Sequence, residues 1–296
     1  MLVFLCGVLI IKTLDEFDTD NFEPSVYWLY TKQVTLRLCS LIFLLFIPHL
    51  QLAAASPYHV ILDPGHGGKD DGATKFKVKE SEITLIVAKK LEQLLKKDKE
   101  FSVSLTRRSN RSLSLKQRTQ IAEARKGDLF LSIHVNSSLD PRAHGGEIYF
   151  QNQLPPDEES LFLASKENAA ESSESTDLSW PLTPLTLPSE TPKDVQLILM
   201  DLQRNERIRL SGLMSESLIK FWTGKIAYRK RKIRQAPFYV ISNVNMPSVL
   251  VELGFVTNSM EAKKLVSDPY QDKLAKELYL GLKNVKEVLD KERITP

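Results

Sequence analysis

From residue 58 onward, short apolar runs alternate with longer stretches whose apolar residues recur at helical spacing, and this constrains the fold more than any other feature. Residues 58–62 form an apolar run that ends in Asp63-Pro64-Gly65, the pattern of a buried strand entering a turn. Ile83, Ile86, Val87, Leu91, Leu94 and Leu95 then follow one helical face, with lysines opposite. Residues 101–106 alternate like a strand, and Ser114 with Gln117 has capping-box spacing for a helix carrying Leu115, Ile121 and Ala122. Residues 129–135, 146–151, 238–241 and 248–252 read as further strands. Asp268-Pro269 opens a closing amphipathic helix, with proline at its first helical position. Such alternation predicts an α/β layer structure, in which functional residues gather where strands end at the carboxyl edge of the sheet.

Two regions break the pattern. Within residues 1–55, Lys32 and Arg37 precede an apolar run at 38–47, followed by Ala53-Ala54-Ala55. The order basic, apolar, A-x-A predicts a cleavable secretory signal at about residues 31–55, hence export to a periplasm or secretion. The run is short for a membrane span, so no stable span is expected in the mature form. The residues before it exceed what a signal needs, which predicts a downstream translation start; a start at Met1 with this segment retained would make it a membrane anchor. The second break runs over residues 154–193, rich in Pro, Ser, Thr and acidic residues. There a helix is expected at 156–170, a loop at 172–192, and a long helix resuming at 194–222. The basic residues Arg229, Lys230, Arg231, Lys232 and Arg234 read as a solvated loop, with contact to an anionic polymer as the alternative.

Composition narrows the chemistry. A formal net charge of +3 is too near neutral for a nucleic-acid binder, and 42% hydrophobic residues allow a real core. Cys6 and Cys39 lie near the N-terminus, so the body has no disulfide framework and no cysteine nucleophile.

Three strings then carry reactive groups. In Asp63-Pro64-Gly65-His66-Gly67-Gly68 a histidine stands among glycines directly after a strand, where it either projects into a site or caps a surface turn. In Ser132-Ile133-His134-Val135-Asn136 an apolar strand presents a histidine that is either a ligand or a satisfied core residue. In Val249-Leu250-Val251-Glu252-Leu253-Gly254 a glutamate sits in an apolar strand, at a desolvation cost that an arginine partner or a general-base role would explain. After the signal only His59, His66, His134 and His144 remain, and the settings of His59 and His144 are less suggestive. A site of two histidines and one carboxylate is therefore the economical metal site, its fourth position left to water. Glu80 and Glu82, just before the first helix, both fit, and spacing does not choose between them.

The strings ILDPGHGGKDDGA, KESEITL, SLTRRSN, SLKQRTQIA, LFLSIHVNSS and MPSVLVELGFVTNSMEAKKL, in that order, resemble the zinc-dependent N-acetylmuramoyl-L-alanine amidases of amidase type 3. The resemblance spans roughly residues 58–288. It implies a single α/β domain, within about 56–292, with a mixed, mostly parallel central sheet flanked by helices. It also implies zinc held by His66, Glu80 and His134, with Glu252 as the catalytic glutamate, and so selects Glu80 over Glu82. Asp63 and Asn136 are expected to orient ligands. The implied substrate is peptidoglycan, cut between N-acetylmuramic acid and the L-alanine of the stem peptide during wall remodelling or daughter-cell separation. The segment at about 154–209 falls where a regulated subset of the family carries an inhibitory helix displaced by LytM-domain activators. A blocking glutamate would then be one of Glu158, Glu159, Glu167, Glu171 or Glu174, unless the segment is only an acidic surface loop. A zinc peptidase or carboxypeptidase on the same polymer, and a non-catalytic wall-binding module, are the competing readings.

Overall fold

Alternate residues of the central strands bury on opposite faces of one sheet, as the period of a strand requires. A computed structural model describes residues 56–170, 192–222 and 233–294 of the 296-residue chain. The targeting segment expected within residues 1–55 lies outside the described residues, as do Glu171, Glu174 and the basic residues 229–232.

Strands β1 (Tyr58–Pro64), β4 (Phe101–Leu105), β5 (Leu129–Asn136), β6 (Glu147–Phe150), β7 (Ile233–Gln235) and β8 (Ser248–Phe255) form a six-stranded sheet in the order β4-β1-β5-β8-β6-β7. Every neighbouring pair is parallel except β6 with β8. A small antiparallel hairpin, β2 (Thr74–Lys75) with β3 (Val78–Lys79), leads into the first helix. The sheet is thus mixed and mostly parallel.

One face carries Val60, Leu62, Leu129, Leu131, Ile133, Val249 and Val251. It is covered by α1 (Glu80–Lys96), α4 (Lys193–Lys220) and α7 (Asp268–Ile294), through residues such as Val87, Leu91, Met214, Leu218, Leu278 and Leu282. The other face carries Ile61, Phe130, Tyr149 and Leu250 under α2 (Leu115–Ala124), α3 (Glu158–Ala170) and the single turn α5 (Tyr239–Ser242). Short α6 (Ser259–Leu265) starts at Asn258, whose side chain accepts from the Met260 and Glu261 amides. Parallel strands covered on both faces read as continuous apolar runs, which is why they were visible in the sequence. The capping box at Ser114 and Gln117 is present in both directions.

Two expectations are corrected. Residues 238–241 form the turn α5 rather than a strand, because both flanks of β8 are already taken by β5 and β6. Apolar runs this short do not distinguish strand from helix. Arg234, read as part of a solvated loop, instead lies on edge strand β7 with its side chain buried against Glu147. Among the described residues no helix is long and apolar enough to cross a membrane.

Candidate metal centre and active site

The period of two that fills the core also builds the site. Continuing the Ile61, Phe130, Leu250 face toward the strand ends places Asp63, Ser132, His134 and Glu252 on the side covered by α2 and α3. In register, His134 of β5 pairs with Glu252 of β8, and Glu252 pairs on its other side with Glu147 of β6. Histidine, glutamate and glutamate therefore lie in one row across three adjacent strands.

His66 arrives from the turn beyond β1. It holds a left-handed backbone with φ of 57°, a conformation side-chain-bearing residues adopt only when their surroundings enforce it. The enforcement is visible: Asp70 Oδ2 meets His66 Nδ1 at 2.7 Å, and Arg118 Nη2 donates to the His66 carbonyl at 2.9 Å. Arg107 and Arg118, both fully buried, also donate to the carbonyls of Pro64 and Gly65. Gly65 leaves room for a ring, since a Cβ there would stand 2.4 Å from His134 Cε1. The two imidazoles meet edge to face, with centroids 5.1 Å apart.

Two carboxylates reach this histidine pair. Glu80, the first residue of α1, places Oε1 3.0 Å from His134 Nδ1 and Oε2 3.2 Å from His66 Nε2. Its oxygens are fixed by backbone amides, Oε1 by Val135 N and Oε2 by Ala73 N, both at 2.8 Å. Glu167, from α3, places Oε2 3.1 Å from His66 Nε2 and 3.7 Å from His134 Nδ1. Donor atoms of His66, His134 and Glu167 all lie within 4.8 Å of one another.

The electrostatics call for a cation. Burial opposes a charge on His66, yet Glu80, Asp70 and Glu167 hold its pKa well above the usual histidine range. Burial also opposes ionisation of Glu80, but His66 and His134 keep its carboxyl well below the usual range. Glu252 goes the other way: burial, then the charges of Glu80, Glu167 and Glu147, push its pKa well above that of a free carboxyl. Glu252 Oε2 is buried with no hydrogen-bond partner among the described residues. Two imidazole nitrogens and a carboxylate facing an excess of negative charge suit a divalent metal ion.

The remaining expected residues fall nearby but act indirectly. Asp63 is fully buried and accepts from Thr106, Arg118 and Ser132 rather than from a histidine ring. Its carboxyl is held low because Arg118 and Thr106 outweigh the burial that opposes it. Asn136 donates to Glu147 at 3.1 Å, not to a ligand. The side chain that does fix a histidine ring is Asp70, which no periodicity marked. Of the acidic insertion residues, Glu158 is exposed, Glu159 pairs with Arg234 at 3.0 Å, and Glu167 alone among those described reaches the histidines.

Comparison with known proteins gives the family. Residues 60–284 match the family model described as N-acetylmuramoyl-L-alanine amidase. A Buchnera aphidicola chain is 32% identical over 227 residues, which cover 76% of this chain and 93% of that one. The N-acetylmuramoyl-L-alanine amidase AmiA of Escherichia coli K12 is 30% identical over 227 residues, 75% of this chain and 74% of AmiA. Among solved structures, an N-acetylmuramoyl-L-alanine amidase from Clostridium difficile 630 superposes with a TM-score of 0.53 at 25% identity, over 79% of this chain and 98% of that one. A hydrolase fold with two histidines and a glutamate at the carboxyl edge of its sheet is the class the geometry defines. The chain belongs to the N-acetylmuramoyl-L-alanine amidase family, whose members cut peptidoglycan and depend on a metal.

Proposed function

We propose that this protein is an exported, zinc-dependent amidase that separates N-acetylmuramic acid from the L-alanine of the stem peptide, in wall remodelling or daughter-cell separation. The observation that carries the reading is the row in which buried Glu252 stands directly beside His134 in the sheet. His66, Glu80 and His134 would hold the metal, with Asp70 fixing the ring of His66 through Nδ1. Bound there, zinc supplies a Lewis acid for the amide carbonyl and lowers the pKa of water towards ~7. Glu252, whose pKa is pushed up by burial and neighbouring carboxylates, takes the proton of the attacking water. It then delivers that proton to the departing L-alanine nitrogen as the carbon–nitrogen bond breaks.

At rest the site is closed by the chain itself. Glu167 Oε2 lies 3.1 Å from His66 Nε2 and 3.7 Å from His134 Nδ1, where it would compete with water for the open position on a bound metal. Glu80 serves as the constant ligand because two backbone amides fix it, whereas Glu167 rides on the insertion and can leave. A LytM-domain activator is the kind of partner that would lift α3.

Digestion of purified sacculi tests the activity. Release of intact stem peptides with free L-alanine amines, leaving uncut glycan strands, is expected; cuts within the peptide instead would make the enzyme a peptidase. Glu252→Gln should retain metal and lose about 10²–10⁴ in rate. A variant of near wild-type rate would remove Glu252 from its role. Recovery of the mature chain from the cytoplasm alone would remove the export assignment.

A further inference from the structure

The guanidinium of Arg234 reaches two elements at once. Its Nη2 lies 3.3 Å from Oε1 of Glu147, the buried carboxylate beside Glu252, while its Nη1 lies 3.0 Å from Oε2 of Glu159 in the first turn of α3. Asp157, which caps α3 by accepting from the Ser160 amide at 2.8 Å, stands 3.8 Å from the same Nη1. Arg234 itself is 5% exposed and Glu159 47% exposed, so the chain of charges runs from the interior outward. Arg234 and Asp157 also line a cavity of about 380 Å³ with Phe150, Leu154, Pro156 and Glu216. The pairs can therefore be approached from outside.

The rest of α3 is lightly held. Leu163 and Ala164 bury against the sheet, Lys166 donates to Ser137 at 2.9 Å, and Asn168 bonds the backbone at Pro237 and Tyr239. Leu161 and Phe162, on its outer side, are exposed. Each of these contacts contributes to holding the helix in place.

We propose that the Glu159–Arg234–Glu147 ion chain is a clasp that keeps α3 seated, and with it Glu167 over the histidine pair. Glu147 and Tyr149 hold Arg234 to the sheet, because Glu147 is fixed in turn by the Tyr149 hydroxyl at 2.9 Å and by Asn136. The Glu159 end lies outside the row that contains Glu252, so a change there leaves that row in place. The inference rests on the closed-site reading above, and the two can be tested apart.

The full chain would be compared with Glu159→Gln, Glu159→Lys, Glu167→Gln and the control Glu206→Gln. Glu206 forms an exposed ion pair with Arg209 of similar length, 2.8 Å, far from α3 in sequence. Two readouts would be taken: basal release of labelled peptidoglycan by the zinc-loaded enzyme without activator, and hydrogen–deuterium exchange over residues 158–170, with and without metal. Expected are faster exchange and a basal rate raised about 2- to 10-fold in Glu159→Gln, more in Glu159→Lys, where attraction becomes repulsion. Glu206→Gln should match the wild type in both. Wild-type exchange in both Glu159 variants overturns the clasp, whatever the rates. A raised rate in Glu167→Gln with no rise in either Glu159 variant also overturns it. If Glu167→Gln shows no rise, the closed-site reading fails, and exchange alone then decides whether Glu159 holds the helix.

Discussion

Glu80 and Glu167 bring the same chemical group to the same two histidines, yet the chain holds them in opposite ways. Glu80 opens α1, is 1% exposed, and has both oxygens tied to backbone amides, those of Val135 near the end of β5 and of Ala73 just before β2. Glu167 sits near the end of a helix secured by one apolar patch and a handful of side-chain bonds. The difference teaches how a ligand is told from a stopper. On the reading proposed above, preorganisation by backbone amides would make a carboxylate part of the metal site, and attachment through the insertion helix would make it removable.

Substitutions at the two positions should separate them most sharply in metal content. Glu80→Gln is expected to lower metal affinity by more than about 100-fold, beyond what loss of an orienting residue alone costs. Glu167→Gln should change affinity by less than about tenfold; equal losses, measured by competition with a chelator, would erase the distinction. Next in size is Asp63→Asn, which strips Arg118 of its buried carboxylate beneath the site and should cost about 3–5 kcal/mol of stability. Because the Asp63 pKa is lower folded than unfolded, its contribution is fully present above about pH 4 and is lost as pH falls through the folded value. The gap between wild-type and Asp63→Asn melting temperatures should thus narrow only below about pH 4. A gap independent of pH would mean the carboxylate charge is not what stabilises.

Smaller again is the gain from opening the site. Glu167→Gln should raise the basal rate on sacculi about 5- to 150-fold, the range spanned by ~1–3 kcal/mol of coupling. A fall in rate would make Glu167 a working ligand rather than a stopper. Least of all, Lys166→Ala removes an exposed bond to Ser137 and should change that rate by no more than about threefold.

Much of the comparison was readable before any coordinates. The buried parallel strands announced themselves as apolar runs, and the histidine and glutamate interrupting them lay where strands end, so His66, His134 and Glu252 were visible as exceptions to a pattern. Glu80 was not distinguishable from Glu82 by spacing, because both precede the same helix; only the path of the hairpin brings the first one under Val135 and Ala73. Asp70 was invisible, since a glycine-rich turn has no period to violate. Nothing in the sequence marked Arg107 and Arg118, since their burial under the Pro64–His66 carbonyls is a tertiary fact. Glu167 was one acidic residue among several, and choosing it required knowing which face α3 turns inward. Arg234 misled because charge density near it outweighed the three-residue strand on which it sits.

The placement of the insertion on the sheet has a further consequence. The chain leaves β6, passes through α3 on one face and α4 on the other, and returns to β7 as the immediate neighbour of the strand it left. The departure and return points are thus fixed side by side, and lengthening the path between them adds only about 0.6 kcal/mol per doubling of a flexible loop. Sequence added or removed between these two points therefore need not alter the register of the sheet. If α3 restrains the enzyme as proposed, that restraint can change in strength separately from the chemistry at the sheet edge.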